Sequence, residues 1–271
     1  MQTSSTAKQG AIAAGNVFGS NIANILLVLG IGAALYGFRV GKENLKDLAL
    51  VLLLTTLISI YILFHSQITG NALGFYEGAL LLLIFAWYAN RLLKKKNLEG
   101  MAPAKRMGRR EGLRAFLFFG LGIVGVMISS QFVVDSAVKL ADMAGLAKSF
   151  IGATLIAIGT SLPELSIELQ AIRRKQYGLA LGDAIGSNMV NITLVLGAAA
   201  AISPIVVQLN VFSAALLFAV VANMVFLYIA AVKGKFEKKD GLLLLGLYAL
   251  YLIVIFYLQF GEVNLPSALG G

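Results

Sequence analysis

The chain has no cysteine, one histidine, one tryptophan and four prolines, and only 13% of its 271 residues are charged. Without a thiol there is no disulfide, no thiolate metal ligand and no cysteine nucleophile. A single histidine, His65, excludes the imidazole clusters that soft and borderline metals favour; near a span end, it suits an interfacial residue. Scarce charge excludes an ordinary soluble domain, in which about 25% of residues are charged. Acidic residues are the scarcer sign, 13 against 22 Lys and Arg. Met1 to Ala14 is polar and small, so it is not expected to act as a cleavable signal peptide.

What is abundant is apolar. Hydrophobic residues make up 59% and mean hydropathy is +0.85. A bilayer crossing needs about 20 mainly apolar residues. Eight such stretches are read, roughly 16–37, 46–65, 72–94, 113–132, 149–171, 181–203, 205–232 and 241–260. This is an all-α polytopic membrane protein with the lipid bilayer as its first partner.

The net charge of +9 does not indicate nucleic acid, because of where it falls. Lys and Arg gather in four short loops: Arg39 to Lys46, Arg91 to Arg114, Arg173 to Lys175 and Lys233 to Lys239. Only Lys8, Lys139 and Lys148 lie on the other side of an eight-span arrangement. The positive-inside rule then puts both termini of the chain on the non-cytoplasmic side.

The phrase "GNVFGSNIANILLVLG" begins at Gly15, and "GDAIGSNMVNITLVLG" begins at Gly182, an offset of 167 with ten of sixteen positions identical. The offset exceeds any solenoid period and fits duplication of a multi-span unit. The copies lie on spans one and six, so an odd number of crossings separates them and they run in opposite directions. Inverted repeats of this kind are a feature of secondary transporters, whose site lies near the midplane between repeats. The basic segment 91–113 reads as a cytoplasmic linker. It divides 1–90, three spans, from 114–271, five spans.

Chemistry concentrates in "GATLIAIGTSLPELSIELQ", just before the second copy. Gly159 and Pro163 are expected to break this span, which is tolerated at membrane depth only beside protein or a cavity. The expected ligands are carbonyls freed around Ala157 and Gly159, the hydroxyls of Thr160 and Ser161, and the carboxylate of Glu164. An intramembrane carboxylate is a functional-site hypothesis by default, against the plainer reading that Glu164 caps a half-helix. Ser187 and Asn191 share a helix face, as do Ser20 and Asn24. Gly15, Gly19, Gly182 and Gly186 form small-xxx-small pairs and are read as helix-packing glycines. Asn16, Asp183, Asn21 and Asn188 are read as braces of helix ends or bonds across helices. An all-oxygen set suits hard cations such as calcium.

"GTSLPEL" followed by "GDAIGSNMVNITLVLG" resembles an alpha-repeat of the calcium/cation antiporter superfamily, in its sodium/calcium exchanger branch, prokaryotic in type. The resemblance implies an inverted-repeat exchanger fold of ten helices, of which eight are present. It implies exchange of calcium against sodium by alternating access, with no cofactor, no covalent chemistry and no enzymatic activity. It implies that Glu164 coordinates calcium, that Thr160, Ser161 and the Ala157 carbonyl serve sodium, and that Ser20, Asn24, Ser187 and Asn191 complete the site. It also implies residence in a prokaryotic inner or plasma membrane.

The chain departs from the family pattern in three ways. The counterpart of "GTSLPE" in the first repeat would precede Met1, so two spans and half a site are expected to be missing. Asn191 stands where some exchangers of the branch have aspartate. Glu168, four residues after Glu164, replaces a small polar residue. It is read as nearing the cytoplasmic end of its span, facing Arg173 or water, with a vestibule carboxylate as the alternative. Asp135 with Lys139, Asp142 and Glu77 are read as interfacial. Two other functions stay open: a proton-coupled antiporter of calcium or another divalent cation, and a truncated non-transporting membrane protein or subunit. A homo-oligomer, or a separate segment carrying the missing spans, is among the partners these readings allow.

Overall fold

The computed structural model describes residues 14–69, 73–98, 152–202, 204–205 and 209–263, with scattered helical positions between 110 and 143. In lipid every backbone polar group must be satisfied within the chain, so long apolar stretches become helices. α1 spans Ala14–Tyr36, α2 Lys42–Thr69 and α3 Phe75–Leu98. A bent pair follows, α4 (Thr154–Thr160) and α5 (Leu162–Arg173), with 48° between them. α6 is Tyr177–Ile202, α7 Leu209–Lys233 and α8 Lys238–Val263. Among the described residues, five helices are long and apolar enough to cross a membrane, and α4 with α5 makes a sixth if counted as one span.

One expected span is met in detail and one boundary is corrected. The fifth span breaks as expected from Gly159 and Pro163, the chain bending at Ser161. The sixth begins at Tyr177 rather than 181, because α5 ends at Arg173 on a backbone lock that returns the chain within three residues. Lys175 turns left-handed, with φ +60°, and the amides of Lys175 and Gln176 reach back to the carbonyls of Ile172 and Ala171. That pattern satisfies the last carbonyls of a helix and ordinarily uses glycine. Most of the fourth span, most of the 91–113 linker, Lys8, Asp142 and Lys148 lie outside the described residues. Asp135 and Lys139 are helical and exposed.

The duplication is visible in three dimensions. α2 lies along α7, α3 packs on the C-terminal part of α6, and α8 packs on the C-terminal part of α1. The last two contacts are mates under the repeat. Both are glycine-on-backbone crossings. A Cβ at Gly241 would come within 2.3 Å of the Ala34 nitrogen, and one at Gly78 within 2.5 Å of the Ala201 nitrogen. Small residues let backbones approach where lipid gives no hydrophobic drive to associate. The 167 offset relates Ala34 to Ala201, but Gly78 and Gly241 differ by 163, so the second repeat is four residues shorter before its last helix.

Each end of the molecule carries one short pairing of extended backbone. β1 (Phe38–Arg39) pairs antiparallel with β2 (Lys235–Phe236), Phe38 opposite Phe236. At the other end Leu73 pairs with Ile205. Phe38 and Ile205 are 167 apart and Leu73 and Phe236 are 163 apart, so the two pairings are mates. The basic loops share the β1–β2 end. β1 joins the first loop to the fourth, the Arg91–Asp47 ion pair at 3.2 Å joins the second to the first, and Asn44 beside Gly178 brings in the third. α1 therefore runs toward the basic end and α6 away from it, as an inverted repeat requires.

Candidate ion site at the crossing of the repeats

The helical turn around Ser161 sets the site. Pro163 falls in the first turn of α5, where a missing amide hydrogen costs nothing. The chain bends there without unwinding. The Ser161 amide still bonds the carbonyls of Ala157 and Ile158, at 3.2 and 3.1 Å. The expectation of a freed Ala157 carbonyl is therefore not met. The hydroxyl oxygens of Thr160 and Ser20 lie 3.2 and 3.5 Å from that oxygen.

Hydroxyls stitch the bend to α1. Ser20 Oγ and Thr160 Oγ1 are 3.0 Å apart, and Thr160 Oγ1 donates to Asn16 Oδ1 at 3.0 Å. The structure thus brings together Ser20, Ala157 and Thr160 from the expected set, and adds Asn16. Ser161 is buried, and neither its hydroxyl nor the buried Glu164 Oε2 has a partner among the described residues. Glu164 occupies the first turn of α5, where the helix dipole favours negative charge. It is both a helix-end residue and a source of a free oxygen.

Asn24 and Asn191 each begin a widened, π-type stretch, or stand one residue into it: Ala23–Val28 in α1 and Asn191–Val195 in α6. A third widened stretch, Gly152–Ile156, leads into the bend. Such insertions recur at functional sites, and no residue pattern announced them. Asn21, Asn24, Asn188 and Asn191 hydrogen-bond across the helix crossing, in keeping with the bracing role read for Asn21 and Asn188. Ser187 is half-buried on α6.

Two expectations are corrected here. Glu168 faces neither Arg173 nor water. It has no exposed surface, and neither carboxylate oxygen has a partner among the described residues. Its charged neighbours are Asp183 and Glu164, because α6 lies over that face of α5. Gly182 and Gly186 are not close-packed, since a Cβ on either would meet no described atom within 4 Å. They border a cavity of about 250 Å³ also lined by Asn44, Asp47, Tyr88 and Arg91. Gly15 and Gly19 are buried. His65 stacks on Tyr61 and lies 3.5 Å from Glu77. Among the described residues no three carboxylates or imidazoles converge on a metal position.

A bent intramembrane helix presenting oxygens beside two crossing, oppositely directed copies of one phrase defines a membrane transporter of the inverted-repeat class. The chain belongs to the sodium/calcium exchanger protein family, whose model matches residues 3–93 and 114–257. An uncharacterized membrane protein of Methanocaldococcus jannaschii is 32% identical over 92% of this chain and 78% of its own length. The putative antiporter CaxA of Alkalimonas amylolytica is 36% identical over 77% of this chain and 66% of its own. Solved structures of the sodium-calcium exchanger NCX_Mj superpose with a TM-score of 0.70 at 28% identity, over 90% of this chain and 76% of that one. The chain spans about three fifths to four fifths of the length of the first relatives it matches.

Proposed function

We propose that the chain is a secondary cation antiporter that exchanges calcium against sodium by alternating access. The observation that carries this reading is the bend at Ser161, where the Ser161 hydroxyl and Glu164 Oε2 are buried next to α1 with no partner among the described residues. Calcium takes six to eight oxygen ligands. Here Glu164 would supply the carboxylate, with the amide oxygens of Asn24 and Asn191. Ser161, Thr160, Ser20 and Ser187 would serve sodium, which competes for the same region, so the ions bind in turn. Residues 1–90 and 114–271 act as the two repeats, joined by 91–113, with the basic end facing the cytoplasm of a prokaryotic inner or plasma membrane.

Glu168 favours a second reading, proton-coupled exchange. A fully buried carboxylate with no partner among the described residues, four residues from Glu164, is a natural proton carrier. Radiolabelled calcium uptake into vesicles containing the purified chain separates the two. Sodium-calcium exchange requires uptake driven by an outward sodium gradient and lost in Glu164→Gln; uptake driven by a pH gradient alone supports the proton reading. Undiminished uptake by Glu164→Gln removes the site from either mechanism.

A further inference from the structure

Four asparagines form a closed pattern where α1 crosses α6. Asn21 Nδ2 donates to the backbone carbonyl of Asn188 at 3.1 Å, and Asn188 Nδ2 to the backbone carbonyl of Asn21 at 3.2 Å. Asn24 Nδ2 donates to Asn188 Oδ1, and Asn191 Nδ2 to Asn21 Oδ1, both at 3.1 Å. The 167 offset exchanges each bond with its mate. Asn21, Asn24 and Asn188 are all buried.

The direction of each bond is forced by chemistry. A backbone carbonyl only accepts, so Asn21 and Asn188 must face it with their amide nitrogens. Their Oδ1 atoms then point to the other side, and those oxygens also only accept. The ends of Asn24 and Asn191 that meet them must be the nitrogens. Asn24 and Asn191 are left with their oxygens turned away from the clasp. Asn24 Oδ1 is buried with no partner among the described residues, one turn along α1 from Ser20, whose hydroxyl meets the bend.

We propose that Asn21 and Asn188 are positioning residues, which fix Asn24 and Asn191 with the oxygen end of each amide toward the cation. The inference rests on the ligand role proposed above for Asn24 and Asn191. An amide presents an acceptor on one side and two donors on the other, so a freely turning asparagine would spend part of its time repelling the ion. The clasp removes that state in both repeats with one arrangement.

The test is calcium binding to the purified full chain by equilibrium dialysis, with folding checked by thermal stability. Asn24→Ala is expected to weaken binding. Asn188→Leu removes the acceptor that orients Asn24 and is expected to weaken binding roughly tenfold, the scale of one hydrogen bond to a charged group. Combining it with Asn24→Asp should restore the affinity of Asn24→Asp alone, because a carboxylate offers oxygen whichever way it turns. A purely structural role for Asn188 predicts no such rescue. Wild-type affinity in Asn188→Leu, or a double variant still roughly tenfold weaker than Asn24→Asp, overturns the proposal. If Asn188→Leu does not fold, Asn188→Asp decides. It keeps the acceptor for Asn24, so near wild-type affinity supports the clasp and a loss of about tenfold overturns it. Undiminished binding by Asn24→Ala, or none by the unsubstituted chain, removes the ligand reading and the clasp's role with it. Weakened binding by Asn24→Ala with wild-type affinity in Asn188→Leu removes the clasp's role alone.

Discussion

Polar side chains are costly in apolar spans, and the candidate site gathers several of them. Ser20, Asn24, Thr160, Ser161 and Glu164 each carry a group that lipid would not tolerate without a use. The Ala157 carbonyl was misjudged for a physical reason. A proline signals a bend, but whether carbonyls are freed depends on where in the new helix it lands, and Pro163 landed in the first turn. Glu168 is covered because α6 folds back over α5 after a three-residue turn, and which face of α5 that turn covers is not written in residue type. Its unpartnered carboxylate carries a stability prediction. Glu168→Leu is expected to raise stability by about 1–3 kcal/mol, since an unsatisfied buried polar group costs that much. Thermal unfolding in detergent measures it; a lower melting temperature would mean Glu168 has a partner in the folded protein.

At the scale of elements, helix existence was legible and helix packing was not. Any small-xxx-small pair can be a crossing, yet Gly182 and Gly186 face a cavity while Gly78 and Gly241 meet backbone. Gly241→Val is accordingly expected to cost about 1–3 kcal/mol by overpacking. Gly182→Ala is expected to be neutral, or to gain up to about 1 kcal/mol from helix propensity. Equal destabilisation by the two in thermal unfolding would contradict the crossing seen here. The closure of α5 carries a further expectation. Lys175→Gly relieves a left-handed lysine, a conformation costing about 1–2 kcal/mol outside glycine, and should raise the melting temperature. A fall would show that the turn is not left-handed in the membrane.

For the whole molecule, the paired phrases and the placement of basic loops already implied an inverted repeat, and the structure gives it a form. Mated helix crossings and mated short pairings, Phe38 with Phe236 and Leu73 with Ile205, tie the loops together at opposite ends. A chain without cysteine makes the orientation directly measurable. Lys235→Cys, at the basic end, is expected to react with a membrane-impermeant thiol reagent only from the cytoplasmic side. Exposed Pro204, at the other end, is expected to react as Pro204→Cys only from outside. Labelling of both from one side would contradict the inverted arrangement, and a reversed pattern would invert the assignment of sides.

Sequence alone determined the medium, the duplication and the sense of its two copies, because each of these is written in residue type, spacing and charge placement. Only the tertiary structure decided which oxygens stay free. That depends on hydrogen-bond partners from other helices: the Thr160 hydroxyl that meets Ser20, the asparagine clasp that turns Asn24 Oδ1 outward, and α6 covering Glu168.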